Sequence, residues 1–232
     1  MLVSSSYFPS FSEFATTFVK ISTVGDIEGY TIWQHAGASI LRVLAGFAVA
    51  VAVGVPLGLT MGLKPLIYSS TRSILEPIRF IPPIAWIPLA IILLSGYSRY
   101  VFIIWLGAFF PILLNTIAAV KRTSPVFVDV AKTFGAKKST TVFKVVVPSS
   151  LPEVAAGMRI GLGVGWMCIL AAEIIGGEIV GIGRLIWNYT QLIQVDGILV
   201  GMVTIGLIGL AMNELFLQVE KRLFRWRQEI NL

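Results

Sequence analysis

Asp129-Val-Ala-Lys-Thr-Phe-Gly135, a polar lysine-bearing run, and then Val145-Val-Val-Pro148 form a basic connection between apolar stretches long enough to cross a bilayer. A short motif presented at a membrane surface is explained by a partner that docks on it. The chain around it is 56% apolar and only 13% charged, with a mean hydropathy of +0.86. Those values exclude an ordinary soluble domain and define an integral membrane protein.

Crossing roughly 30 Å of hydrocarbon takes about 20 helical residues, and five runs qualify, at 38–63, 80–95, 99–119, 154–177 and 197–218. The second is short and interrupted by Pro82, Pro83 and Pro88, so it predicts a broken helix whose freed backbone groups are covered by neighbouring protein. The expected architecture is an all-α membrane protein of about five spans. Residues 1–37 form an extracytoplasmic amino-terminal segment, 38–218 the transmembrane domain with a loop at 120–153, and 219–232 a basic tail.

Basic loops stay in the cytoplasm. One set of connections and the tail carry Lys64, Arg72, Arg79, Lys121, Arg122, Lys132, Lys137, Lys138, Lys144, Lys221, Arg222, Arg225 and Arg227, whereas the opposite side carries Lys20, Arg42, Arg99 and Arg184. This places the amino terminus outside and the carboxyl terminus in the cytoplasm. The net charge of +6 is thereby explained by topology, and no nucleic-acid-binding module accompanies it. Ser4-Ser-Ser, Pro9, Asp26 and Glu28 break up residues 1–37, which show no cleavable signal peptide, so insertion rests on the later spans.

Cys168 sits alone in an apolar run, with neither a disulfide partner nor metal-ligand spacing around it, and reads as a packing residue. His35, also the only one of its kind, precedes the first span and reads as interfacial. No G-x-x-x-x-G-K-[ST] loop is present, so the chain has no means of its own to hydrolyse a nucleotide. Leu94-Ser-Gly-Tyr-Ser98 faintly resembles an ATPase signature loop, but its surroundings make that a coincidence. The spans hold no paired carboxylates, histidine cluster or activated nucleophile, which argues against a membrane-embedded enzyme.

Gly54, Gly58 and Gly62, then Gly157, Gly161 and Gly165, then Gly197 and Gly201 recur at intervals of four. Such spacing opens a groove for close helix packing, or else lines a pathway along which helices slide. Glu173 is an acid inside a span, where ionisation costs about 2.5–3.5 kcal/mol at mid-bilayer. It is either a hydrogen-bonded brace or a lining residue of a translocation path, and Asn115 and Trp166 are weaker candidates for the same lining.

In the loop, Pro125 suits a helix start, and Asp129, Val130, Ala131 and Phe134 fit one short helix, with Asp129 near its positive end. Gly135 tolerates the positive φ that ends one helix before the next. The product is a helix-turn-helix knob, or an amphipathic loop resting on lipid headgroups.

This spacing resembles the E-A-A-x-x-x-G-x9-I-x-L-P loop of ABC importer permeases, here Asp129, Val130, Ala131, Gly135, Val145, Val147 and Pro148, with Ala136 following the glycine. Asp stands for Glu, and Val for Ala, Ile and Leu. Trp33–Arg42, Ile81–Leu89, Gly107–Thr116 and Arg159–Trp166 are similar to the nitrate, sulfonate, taurine and bicarbonate branch, over roughly residues 30 to 227. That branch commonly carries an additional amino-terminal span, which this sequence does not show. Either the start is trimmed or misassigned, or this member works with the five-span core, with Tyr7-Phe-Pro-Ser as its external segment.

The resemblance implies a type I ABC importer permease in the inner or plasma membrane, forming the path for a small anion. It implies a homodimer, an ABC ATPase subunit that binds ATP and Mg, and a periplasmic or lipid-anchored binding protein. The segment Asp129 to Gly135, with Ala136, Val145 and Pro148, would enter a groove on the ATPase and move with it, and Pro148 and Pro152 would stiffen the junction with the fourth span. Arg159 lies too near the cytoplasmic end of its span to serve as an anion ligand. Two other classes remain: a secondary transporter, which would need a coupling-ion site and an inverted repeat that the sequence does not show, and a membrane scaffold that docks a partner without moving anything.

Overall fold

Residues 8–225 are described by the computed structural model. Ser4, Ser5, Ser6, Tyr7 and Arg227, with the corresponding ends of the 1–37 segment and the 219–232 tail, lie outside the described residues.

Local chemistry accounts for where each helix begins and stops. Helix α1 (Phe11–Thr23) opens on a capping box, in which the Ser10 N–H donates to Glu13 Oε2 at 2.6 Å and the Glu13 N–H donates to Ser10 Oγ at 3.3 Å. Helix α2 (Ile32–Leu63) starts earlier than hydropathy indicates. Gln34 Oε1 accepts the Thr31 N–H at 2.8 Å, and the polar Gln34 and His35 continue the helix where an apolar scale sees a loop.

Residues 65–79, read above as part of a basic connection, are helical (α3, Pro65–Arg79). Pro65 at the first position of α3 needs no N–H partner. Pro82 and Pro83 then force the break that the sequence announces. A 3₁₀ turn (Pro83–Trp86) and helix α4 (Ile87–Leu93) follow, bent by 84° from α3. Helix α5 (Tyr97–Lys121) leads to the loop helix α6 (Pro125–Thr133). A continuous helical run follows, formed by α7 (Lys138–Thr141), a π-helical turn (Val142–Val146) and α8 (Val147–Ile175). Helices α9 (Ile182–Gln191) and α10 (Val195–Leu223) complete the described residues.

Among the described residues there is no strand. Helices α2, α5, the 138–175 run and α10 are long and apolar enough to cross a membrane, and α3 with the turn and α4 makes a bent fifth candidate. The five runs read from hydropathy are thus present with shifted ends, the second extended backward by α3, and α1 and α9 are additional.

The chain groups into two units, each drawing on all four long helices. The first contains residues 8–46, 83–104 and 165–212. Its apolar core is Ile21, Ile32, Leu185, Tyr189 and Val200, against which Phe14 and Phe18 of α1 pack. Thr17 Oγ1 ties α1 to α10 by donating to Asp196 Oδ2 at 2.6 Å. Gly197 and Gly201 of α10 face Tyr189 and Ile186 so closely that a Cβ would overlap them.

The second unit contains residues 47–82, 105–164 and 213–225. Ala50, Met61, Ala108, Phe109, Ile112, Leu113 and Ile117 form its core. A Cβ at Gly58 would fall 2.6 Å from Thr116, and one at Gly62 would fall 2.7 Å from Val120. Gly161 meets Ile112 of α5 in the same way. In these glycines the four-residue spacing serves close packing, the first of the two readings offered by the sequence.

Candidate functional site

Two clusters concentrate the chemistry, one in each unit. In the second unit, the loop motif is built as the sequence predicts, with one correction. Helix α6 has Pro125 at its first position, and it ends in a Schellman motif: Gly135 adopts φ 73°, its N–H donates to Lys132 O at 2.8 Å, and the Ala136 N–H donates to Ala131 O at 3.0 Å. Asp129 is not in the positive first turn of α6. It stands mid-helix and pairs with Lys132 Nζ at 3.0 Å, an exposed i, i+3 pair, because Pro125 sets the helix start four residues upstream of it.

The chain then turns back through α7. Pro148 has no N–H to give the preceding turn, and the helix widens ahead of it. The Val147 N–H reaches Val142 O, five residues back, and the Ser149 and Ser150 hydroxyls bond Val145 O at 2.7 Å and Val147 O at 2.8 Å. Pro148 and Pro152 therefore lie inside one continuous helical run from Lys138 to Ile175 rather than at a junction. Arg122 Nη1 reaches Glu153 Oε2 at 3.5 Å and closes the base of the loop.

The return brings the motif positions together. Val126, Phe127, Val130 and Ala131 form one wall of an open groove of about 690 Å³, and Lys144, Val145, Pro148 and Ser149 form the other. Phe134 is 87% exposed and Phe143 is 73% exposed.

In the first unit, Glu173 sits at 1% exposure at the centre of a polar network. Its carboxylate accepts from Arg42 Nη1 at 2.7 Å, from Ser39 Oγ at 2.8 Å and from the Gly183 N–H at 2.9 Å. Ser39 Oγ also accepts the Ile182 N–H at 3.0 Å. The first two helical N–H groups of α9 are therefore capped by side chains from α2 and α8, while the N-cap residue itself is Gly181, which has no side chain to offer. Arg42 donates also to Val180 O at 2.7 Å and lies over the Tyr100 ring at 4.6 Å. A Cβ at Gly181 would overlap the Glu173 carboxylate.

His35 is buried at 0% exposure and is not interfacial. Its Nδ1 lies 2.9 Å from both the N–H and the carbonyl oxygen of Gly181, and its Nε2 faces Asp26 Oδ2 at 3.3 Å. Loop 26–30 is held in turn by Asp26 Oδ1, which accepts the Glu28 and Tyr30 N–H groups at 3.0 Å.

Sequence reasoning named Glu173 but missed Arg42, Ser39 and His35 as its surroundings. Their signal was present, since 35, 39 and 42 follow i, i+4, i+7 spacing and mark a polar stripe on an otherwise apolar helix. Trp166 belongs to the same unit as Glu173, where its Nε1 donates to Ile205 O at 3.0 Å and Gly209 faces its ring. Asn115 belongs to the second unit. Its Nδ2 donates to Pro111 O at 2.8 Å, and Gly157 packs on its Cβ. Cys168 is partly buried and unpaired, and among the described residues no cluster of three or more His, Cys, Asp or Glu could hold a metal ion.

Residues 54–226 match the family model described as binding-protein-dependent transport system inner membrane component. A relative in Methanocaldococcus jannaschii is 41% identical over 191 residues, 82% of this chain and 72% of its own length. The taurine transport system permease protein TauC of Escherichia coli is 32% identical over 215 residues, 91% of this chain and 78% of its own length. The bicarbonate transport system permease protein CmpB of Synechococcus elongatus is 32% identical over 202 residues, 87% of this chain and 72% of its own length. Among solved structures, an inward-facing MetNI methionine ABC transporter chain superposes with a TM-score of 0.55 at 20% identity, covering 81% of this chain and 94% of that one. At that identity the likeness speaks to the fold.

Proposed function

The chain belongs to the family of binding-protein-dependent transport system inner membrane components, and from that premise we propose that it forms the path for a small anion and is driven through the 120–153 loop by an ATPase subunit. The chain is a membrane permease subunit of the ABC importer type. The observation that carries the coupling assignment is the loop itself. A rigid α6, ended by a glycine with φ 73° and joined through one continuous helical run to a span, transmits force that a flexible connection would dissipate.

In this reading Asp129, Val130, Ala131, Gly135, Ala136, Val145 and Pro148 make the ATPase contact, and ATP and Mg are bound by that partner. The likeness to TauC and CmpB supports a small anionic substrate, delivered by an extracytoplasmic binding protein to a homodimer of this chain. The distribution of basic residues supports an outside amino terminus with 1–37 extracytoplasmic, 38–218 as the transmembrane domain and 219–232 as a cytoplasmic tail. For Glu173 the burial and the Arg42 pair favour the brace, with Asn115 and Trp166 kept as path candidates. Secondary transport is disfavoured because the loop would then have no role.

The test is co-purification with an ABC ATPase of the same genome, followed by ATP hydrolysis with a binding protein loaded with nitrate, bicarbonate, taurine or an alkanesulfonate. Stimulation by one loaded protein, lost in Gly135→Asp, is the expected result. Wild-type transport and substrate-stimulated hydrolysis in Gly135→Asp would sink the coupling assignment.

A further inference from the structure

The motif residues do more than decorate a knob, because they line an open concavity. Both walls of the groove present positions at i, i+1, i+4 and i+5: Val126, Phe127, Val130 and Ala131 from α6, and Lys144, Val145, Pro148 and Ser149 from the returning helical run. Two helical walls laid side by side leave a trough, and the small Ala131 with Val126, Val130 and Val145 keeps it open. Its volume of about 690 Å³ lies within the roughly 300–1,000 Å³ of concave sites that accept a bound group.

Charge identifies what fits. Arg122 and Lys132 of this loop have acidic partners in Glu153 and Asp129, whereas Lys137, Lys138 and Lys144 make no ion pair among the described residues. An apolar trough lined by the uncompensated Lys144, on a loop that also carries Lys137 and Lys138, complements an apolar side chain set among carboxylates. A layer of anionic headgroups would satisfy the lysines, but it offers nothing to fill a walled apolar trough.

We propose that the groove is a socket. An apolar side chain of the ATPase subunit, flanked by carboxylates, enters between α6 and the Lys144–Ser149 turns, so that each subunit inserts into the other. The inference rests on the assignment of this loop as the ATPase contact. It adds the chemistry of the partner surface and a second direction of insertion.

The experiment uses the full chain in lipid nanodiscs and the ATPase subunit with which it co-purifies. Ala131→Trp and Val145→Trp fill the trough, and Ser139→Trp places the same bulk on α7 outside its lining. Affinity for the ATPase is expected to fall at least tenfold in the first two and less than twofold in the third. Replacing Lys137, Lys138 and Lys144 by Gln should flatten the salt dependence of binding in zwitterionic as well as anionic discs.

Unchanged binding with the trough filled overturns the socket and removes Ala131 and Val145 from the ATPase contact, while the coupling role of the loop is decided separately by Gly135→Asp. Failure of the wild-type chain to bind any ATPase of its genome removes both. A lysine effect confined to anionic discs assigns those side chains to the membrane and overturns the carboxylate partner. Should the tryptophan variants fail to fold, Val145→Cys in a Cys168→Ala background is cross-linked to the ATPase. Cross-links to an apolar residue beside acidic ones support the socket, and their absence overturns it.

Discussion

The polar cluster around Glu173 and the loop around Gly135 are opposite solutions to the same composition. In the first unit, charged and polar side chains turn inward, and the Glu173 carboxylate finds donors in Arg42, Ser39 and Gly183. In the second, Phe134 and Phe143 face outward, and Lys137, Lys138 and Lys144 of the same loop make no ion pair among the described residues. A buried carboxylate whose donors all come from its own unit needs nothing from outside and is built to hold still. A surface that leaves apolar area and positive charge unmet is built to be completed by something else.

Breaking that contrast begins with the buried pair. Glu173→Leu leaves the Arg42 guanidinium buried without its carboxylate, and losing one partner of a buried ion pair costs about 3–5 kcal/mol. The expected outcome is a collapse in the yield of monodisperse protein, read by size-exclusion chromatography in detergent. Normal yield and thermal stability would show that the cluster is not a brace. Ser39→Ala removes one of the two side-chain caps of α9 and should cost about 1 kcal/mol, visible as a lower melting temperature with the oligomeric state unchanged.

Gly135 separates strain from docking. Ala at φ 73° is penalised by about 1–2 kcal/mol, whereas Asn tolerates the left-handed region. Gly135→Asn should therefore recover ATPase association that Gly135→Ala weakens, as measured by pull-down from nanodiscs. Equal loss in both would mean that the partner needs a bare backbone there. The smallest effect belongs to Lys132→Ala, since the exposed pair with Asp129 contributes at most about 0.5 kcal/mol. Its thermal stability should match that of the wild type within error.

The two regions also differ in how far the sequence alone reveals them. The loop is legible because its determinants are local: Pro125 starts α6, Gly135 stops it, and the interval to Pro148 is read directly. The Glu173 cluster is not, because Arg42 lies 131 residues away and the Gly181 backbone lies 146 residues from His35. Arg42 counts as a topological charge until a carboxylate is seen beside it. Hydropathy likewise finds the long spans but passes over α9, where Arg184 and Asn188 interrupt ten residues that nonetheless bury Leu185 and Tyr189. It starts α2 late because the Gln34 side chain caps the Thr31 N–H at the helix start and His35 directs its polarity into protein rather than water.

The widened turn at Val142–Val146 acts as a phase setting. A straight α-helix advances about 100° per residue, so one residue more or fewer between Gly135 and Pro148 would swing the loop around the axis of its span like a key turned in a lock. Val145 would no longer look toward Ala131, although every local contact of α6 could survive. On this account the fixed interval in the motif specifies an azimuth, and a single deletion within 142–146 would yield a well-folded subunit aimed in the wrong direction.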